Sequence, residues 1–215
     1  MRSSLMSKRV GILGTGAVGL TLAQGLQELG YDVSVGSRSG KAVEGWNGAV
    51  GTFKTVVNTA ELVILAVKGA AAAEVVKGIA GELAGKTVLD TTNPIDPNTA
   101  PQDGVLAYFT GPNESLMEML QAAAPDAHFV KCFNSVGAAL MVKPQLKGGR
   151  PTMFLAGNHA GAKTEATELL DRLEWDAADM GPATAARAIE PLCMLYCIPG
   201  LTHNEWSHAF KLLQA

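Results

Sequence analysis

Three glycines, Gly14, Gly16 and Gly19, are spaced Gly-x-Gly-x-x-Gly within Gly14-Thr15-Gly16-Ala17-Val18-Gly19. That spacing serves diphosphate binding where it joins a strand to a helix. The first glycine makes the tight turn, the second lets backbone approach the ligand, and the third lets the helix pack on the strand. The flanking sequence supplies both elements. Arg9-Val10-Gly11-Ile12-Leu13 is a short β-type run, and Val18, Leu22, Leu26 and Leu29 recur behind the glycines at helical spacing. The unpaired N–H groups and the dipole of a helix starting there attract an anion. A turn that only links strand to helix is the plainer alternative.

Gly30 is placed to close this helix as a C′ residue, and Tyr31-Asp32-Val33-Ser34-Val35 reads as a second strand ending at Gly36-Ser37-Arg38. Sites for NAD put Asp or Glu about here, to accept from the ribose 2′-OH. Gly36 stands in that place. Ser37 can donate to a 2′-phosphate, Arg38 can form a charge-assisted fork on it, and Lys41 adds charge nearby. These residues predict NADP(H) in preference to NAD(H). An arginine that caps or solvates a surface loop is the alternative.

The elements that must position such a site follow in order. Residues 39–58 read as glycine-rich and irregular, with a short strand near Thr52 to Thr55. Leu62 to Val67 is an apolar run suited to a parallel strand covered on both faces. A helix carrying Val75, Val76, Ile79 and Leu83 comes next, then a strand over Lys86 to Asp90. Asn113 is expected to cap a helix with Leu116, Met117, Leu120 and Ala124. His128 to Phe133 and Thr152 to Ala156 read as strands, and a helix through Ala162 to Leu173 leads to a short strand at Asp176 to Asp179. Pro182 starts a last helical region, which Pro191 should interrupt. The amphipathic piece Asn204 to Leu213 is expected to dock on the body, with Trp206 and Phe210 packing.

Alternation of strands and helices predicts an α/β fold, a Rossmann-type doubly wound parallel sheet. Ligands of such sheets lie beyond the carboxyl ends of the strands. Those ends are Gly14 to Val18, Ser37-Arg38, Ala66-Val67-Lys68-Gly69, and Thr91-Thr92-Asn93-Pro94, and they should line one crevice. Asn93 offers a donor and an acceptor to a carboxamide or ribose, or serves as a turn residue held by its own side chain. The proline-rich stretch 94–112 reads as a loop over the crevice, and Asn134-Ser135-Val136-Gly137-Ala138 forms a further tip.

At 215 residues, 47% hydrophobic and 17% charged, the chain can bury a sizeable core, and a net charge of −3 gives no basis for nucleic-acid or anionic-membrane partners. No apolar run is long enough to span a bilayer. Arg2, Lys8 and Arg9 enclose no apolar signal region, so a cytoplasmic enzyme is expected. Three cysteines fit a reducing compartment. Cys193 and Cys197 share one helix face without further ligands near in sequence, so packing is expected there and no metal; Cys132 reads the same way.

Gly14 to Gly19, Gly36-Ser37-Arg38, Thr92-Asn93-Pro94, Val130 to Gly137 and Ala186-Arg187-Ala188-Ile189-Glu190 together resemble the coenzyme F420-dependent NADP oxidoreductase family, nearly over the full length. The resemblance implies that Gly36-Ser37-Arg38 holds the 2′-phosphate and that Ala66, Val67, Asn93 and Ala138 lie along the nicotinamide half. It also implies a small, mostly helical C-terminal part, residues 145–215, closing over the cofactor crevice and a flavin-like ring and continuing the sheet of a Rossmann domain of residues 1–144, and a homodimer. Archaeal members carry His where this chain has Asn134, which sets it with the bacterial branch.

Hydride transfer to a flavin or deazaflavin such as F420 or FMN needs little acid–base machinery, because the acceptor ring delocalises the charge. Asn134, Ser135 and Ala138 are then positioning groups. Lys143, Lys147 and Arg150 form a basic loop suited to an acidic tail or simply to solvent. An NADPH-dependent reductase of a small carbonyl or imine would need a proton donor, with Tyr108, Lys68 and Tyr196 as candidates. A non-catalytic NADPH sensor would keep the crevice and lack a second pocket.

Overall fold

The apolar runs become the strands of one sheet with helices on both of its faces. The computed structural model describes residues 7–213, so Arg2 lies outside them. Strand β1 (Arg9–Leu13) leads into helix α1 (Ala17–Glu28), and β2 (Asp32–Ser37) and β3 (Ala49–Thr52) follow. Next come α2 (Phe53–Thr59), β4 (Leu62–Leu65), α3 (Gly69–Gly78), α4 (Ala80–Leu83) and β5 (Thr87–Asp90). The second half runs through α5 (Leu116–Ala123), β6 (His128–Lys131), β7 (Thr152–Gly157), α6 (Ala160–Arg172), β8 (Asp176–Asp179), α7 (Ala186–Ile189) and α8 (Leu192–His203).

The strand order is β3-β2-β1-β4-β5-β6-β7-β8. β1 to β6 are mutually parallel, β7 runs antiparallel to β6, and β8 is parallel to β7. The order reverses between β1 and β4, which is where a doubly wound sheet opens its crevice. A boundary at 144/145 falls between β6 and β7, inside one continuous sheet. Alternate strand residues serve opposite faces. Ile12, Ile64, Leu89 and Val130 pack with Leu22, Leu26, Leu169 and Trp175 from the α1 and α6 side. Leu13, Val63, Leu65, Val88 and Phe129 pack with Val57, Val76, Leu83 and Leu120 from α2 to α5. Continuous apolar runs in the sequence are the signature of strands covered in this way.

Several local expectations are corrected. The third strand lies at Ala49–Thr52, and Thr52 to Thr55 begins a helix, because the Thr52 hydroxyl accepts from the Thr55 N–H as an N-cap. Ser115, and not Asn113, caps α5; its Oγ accepts from Glu118 N and donates to the Glu118 carboxylate, a Ser-x-x-Glu sequence that caps through the hydroxyl alone. Pro182 stands just before the last helical region, outside its first position. Pro191 separates α7 from α8 as expected. Residues 204–213 dock on the body without regular structure, since Asn204 takes a left-handed conformation that ends α8. The tail is then held through Phe210 O, which accepts from Thr152 N, and through Leu212 N, which donates to the Thr152 hydroxyl. Among the described residues no helix is long and apolar enough to cross a membrane.

The joint between β6 and α6 is acid-sensitive. His128 and His159 stack face to face with centroids 3.7 Å apart. His159 Nδ1 also accepts from Ala162 N as the N-cap of α6. Burial, and to a smaller degree His159, holds the His128 imidazole below its ordinary pKa. A depressed folded-state pKa means that the fold disfavours the charged ring. The contribution is therefore complete above the unfolded value of about 6.5 and declines as pH falls below it. His159→Asn keeps a cap and removes the ring stacked on His128. Urea unfolding at neutral and mildly acidic pH should show wild type losing more stability on acidification than this variant; equal losses would refute the joint.

Candidate functional site

The glycine turn is fixed by close approach of its neighbours. Gly14 has φ +131°, and a Cβ there would lie 2.3 Å from the Ala66 carbonyl oxygen. At Gly19 a Cβ would lie 2.4 Å from Gly14 O, so bare backbone seats α1 on the end of β1. A Cβ at Gly16 would meet no protein atom within 4 Å, so nothing in the protein itself demands glycine there. Gly16 is also the N-cap of α1 and offers no side-chain cap, and no acidic residue stands in the first turn. The first-turn N–H groups of Ala17, Val18 and Gly19 and the positive end of the dipole are thus available to an anion.

A cavity of about 370 Å³ opens over this turn, between the tips of β1, β2 and β4. It brings together Gly14, Thr15, Gly16, Ser37, Arg38, Ala66, Val67 and Lys68. Lys41 lines an adjoining hollow with Thr15 and Ser37. Arg38, Lys41 and Lys68 are exposed and form no ion pair among the described residues. Phe53, Ala71 and Val75 also line the cavity, and the sequence reading missed them. Phe53 opens a helix within a stretch read as irregular, and a Ser/Thr before a short apolar run was the available signal. A Cβ at Gly36 would stand 3.1 Å from the Phe53 ring and 3.2 Å from Leu13. A carboxylate side chain at position 36 therefore meets packing as well as charge objections.

Next along the same edge, the tips of β5 and β6 are joined by a pair of amides. Asn93 Nδ2 donates to the Asn134 carbonyl (2.8 Å), and Asn134 Nδ2 donates to Asn93 Oδ1 (3.1 Å) and Ile189 O (3.0 Å). Because both contacts of Asn134 Nδ2 are acceptors, its orientation is fixed. Asn134 Oδ1 is left buried without a hydrogen-bond partner. Asn134 and Ser135 are buried, Asn93 and Ala138 half-buried, and Pro94 buried beside Asn93. Gly69 must lack a side chain, since a Cβ would fall 1.8 Å from Asn93 O, and one at Gly137 would fall 2.7 Å from the Tyr196 hydroxyl.

Beneath these tips lies a cluster that sequence reading did not single out. Lys131 Nζ contacts Asp90 Oδ2 (2.6 Å), Glu190 Oε1 (2.9 Å) and Thr92 O (2.7 Å), and all three charged side chains are at most 1% exposed. The Thr92 N–H and hydroxyl donate to Asp90 Oδ1 at 2.9 and 2.6 Å. Leu116 N and Met117 N donate to the Glu190 carboxylate at 2.9 and 3.0 Å, so Glu190 also holds the start of α5. Burial alone would lower the lysine pKa, but the facing carboxylates outweigh it and hold Lys131 above its ordinary value. The signal available in the sequence was an aspartate and a lysine at the ends of two apolar strands; the register sets them side by side.

Two of the three candidate proton donors are engaged, while Lys68 lines the cavity without an ion pair among the described residues. The Tyr108 hydroxyl donates to Glu190 O and the Tyr196 hydroxyl to Trp206 O, and burial pushes both phenols upward in pKa. Arg150 is held by Asp171 and Asp176. Burial likewise raises the Cys132 thiol. Cys193 and Cys197 face each other at 4.0 Å, and no group of three or more His, Cys, Asp or Glu suited to a metal occurs among the described residues.

Residues 9–94 match the profile of the family described as NADP oxidoreductase, coenzyme F420-dependent. A proposed F420-dependent NADP-reductase of Arthrobacter sp. FB24, known as a crystal structure, is 32% identical, covering 97% of this chain and 100% of that one with a TM-score of 0.88. A crystal structure of the Sinorhizobium meliloti protein SMa0349 is 28% identical, with 86% and 90% covered and a TM-score of 0.68. The metalloreductase STEAP3 of Rattus norvegicus is 29% identical over 188 residues, 86% of this chain. The chain spans 36% of that curated relative's length.

Removing one member of the buried cluster strands the others. Lys131→Met leaves Asp90 and Glu190 facing each other without a cation, at a cost of about 3–5 kcal/mol. Denaturant titration should show that loss; a change under 1 kcal/mol, on the order of an exposed pair's worth, would show that the cluster is not tightly coupled.

Proposed function

The chain belongs to the coenzyme F420-dependent NADP oxidoreductase family, and from that premise we propose that it transfers hydride between NADPH and a flavin-like acceptor, coenzyme F420 before FMN. One observation carries the nucleotide half of this reading: Ser37 and Arg38, which has no ion pair among the described residues, share a cavity with an uncapped helix N-terminus, beside a glycine where a side chain would be tightly packed. The Gly14–Gly19 turn with Thr15, Ala17 and Val18 then holds the diphosphate. Ser37, Arg38 and Lys41 hold the 2′-phosphate, and Ala66, Val67 and Lys68 flank the chain of the cofactor.

When bound, the nicotinamide supplies or takes the hydride. Asn93, Pro94 and Ala138 lie along its ring, where the half-buried Asn93 suits the carboxamide or ribose. Asn134 and Ser135 are positioning residues, since both are buried and Asn134 acts through Asn93. The acceptor ring stacks above them, where water is excluded and orientation contributes most of the rate. With both tyrosine hydroxyls donating to backbone carbonyls, Lys68 is the remaining candidate donor for a carbonyl or imine, whereas a delocalising acceptor needs none. A homodimer is part of the proposal. Helix α8, LCMLYCIPGLTH, is apolar on every side, yet only Cys193, Tyr196 and Gly200 are buried in it, and Leu195 and Leu201 face outward. Light scattering that gave a monomer would remove this part.

Arg38→Ala should weaken NADPH binding by roughly one to two powers of ten while leaving NADH nearly unchanged. An unaltered NADPH/NADH preference would refute the assignment of the 2′-phosphate. Incubation with NADPH and, in turn, F420, FMN and a panel of carbonyls and imines, followed at the nicotinamide absorbance, should show turnover with F420. Turnover with carbonyls or imines alone would replace the proposed acceptor, and tight NADPH binding without turnover would leave a sensor.

A further inference from the structure

We propose that the buried Asp90, Lys131 and Glu190 cluster is an electrostatic element of the site that favours the oxidised, cationic nicotinamide and so biases the enzyme toward giving up hydride from NADPH. The inference rests on the placement of the nicotinamide along Asn93 and Asn134 given above.

The cluster carries a net negative charge. Every recorded partner of its four carboxylate oxygens is a donor. Asp90 Oδ1 receives the Thr92 N–H and hydroxyl, and Asp90 Oδ2 has only the Lys131 ammonium. Glu190 receives Lys131, Leu116 N and Met117 N. The backbone N–H groups on both side chains and the ammonium between them can only donate, an environment built for two carboxylates around one ammonium. Two anions and one cation leave a charge of one unit, uncompensated by any other charged side chain in hydrogen-bond or ion-pair contact with the cluster.

Position makes that charge matter. Lys131 donates to the carbonyl of Thr92, the residue before Asn93, and Asn134 donates to the carbonyl of Ile189, the residue before Glu190. The cluster therefore lies one residue behind each of the two amides at the proposed nicotinamide edge. All three charged side chains are withdrawn from water, so neither solvent nor salt screens their field as it would at the surface. Oxidation turns a neutral dihydronicotinamide into a cationic ring. A fixed negative charge beneath it binds NADP+ in preference to NADPH, which lowers the potential of the bound couple. Hydride, with its electron pair, then leaves the ring more readily for the acceptor.

A purely structural cluster would alter both affinities alike, so their ratio is the readout. Calorimetric titration of the full chain with NADP+ and with NADPH, without acceptor, should show tighter binding of NADP+. Asp90→Asn keeps an oxygen for the Thr92 donors and removes the net charge. It should shift the ratio of the two dissociation constants toward NADPH by about fivefold, equivalent to ~20 mV for a two-electron couple. Wild type binding NADPH at least as tightly as NADP+ overturns the proposal without any variant, as does an unchanged ratio in Asp90→Asn. Arg38→Ala separates the two readings: it should weaken both forms together and leave the ratio alone. Failure of wild type to bind either form would overturn the function proposed above and this inference with it, whereas binding with the wrong ratio would overturn this inference alone.

Discussion

Lys131 has to be charged and has to be buried, and much of the second half of the molecule is arranged around reconciling the two. An ammonium taken out of water loses several kcal/mol of solvation, recovered only if its donors all find good partners. Here they do, and the partners come from different places: Asp90 from the neighbouring strand, Thr92 from the turn after it, and Glu190 from the helical segment that follows β8. Glu190 in turn caps α5 through two backbone N–H groups. One side chain thus fixes β5, β6, α5 and α7 with respect to one another. Such a cluster is a poor way to add stability, since apolar residues of equal volume would do as well or better. Its value lies in specifying one arrangement beneath the strand ends where ligands of this fold bind.

Above that cluster, the carboxyl edge of the sheet closes by approaches that only glycine tolerates. Gly14 lies against Ala66, Gly69 against Asn93, and Gly137 against Tyr196. Between them runs the Asn93 and Asn134 pair, which joins two loop tips by two hydrogen bonds and ties them to Ile189 by a third. The result is a graded edge. Bare backbone and cations lie at the β1 and β2 end, and uncharged amides, Asn134 buried and Asn93 half-buried, lie at the β5 and β6 end over the Asp90, Lys131 and Glu190 cluster. A dinucleotide has the same polarity, with phosphates at one end and a flat ring at the other. The spacing of the tips along the sheet follows from the strand order alone.

The C-terminal segment closes the structure by different means. Helix α8 supplies Tyr196 to the β6 tip and then stops at Asn204. The chain beyond lies across the body, held by Thr152, Arg150 and Tyr196 through Phe210 O, Lys211 and His208. An apolar segment with so little of its surface covered in one chain depends on something else for burial, which is why a second copy belongs in the functional proposal.

The sequence by itself determined the strand, glycine turn, helix and second strand of residues 9–37 and the parallel strands that follow at Leu62 and Thr87. Strand, glycine turn, helix and second strand are contiguous, their signals are local, and Ser37 and Arg38 sit at a fixed distance along the chain from Gly14. Parallel strands buried on both faces also announce themselves as unbroken apolar runs. Tertiary structure alone decided what depends on contact between distant segments. Nothing local marks Phe53 as a wall of the cavity. Nor does it show that the NEWSHAFKLL tail would dock in an extended form. Least legible was the cluster of Asp90, Lys131 and Glu190. Forty-one residues separate the first two and fifty-nine the last two, and each alone reads as an ordinary charge at the end of an element. Only sheet register and the return of the chain after β8 bring them within 3 Å, because attraction between buried charges depends on distance in space and not along the chain.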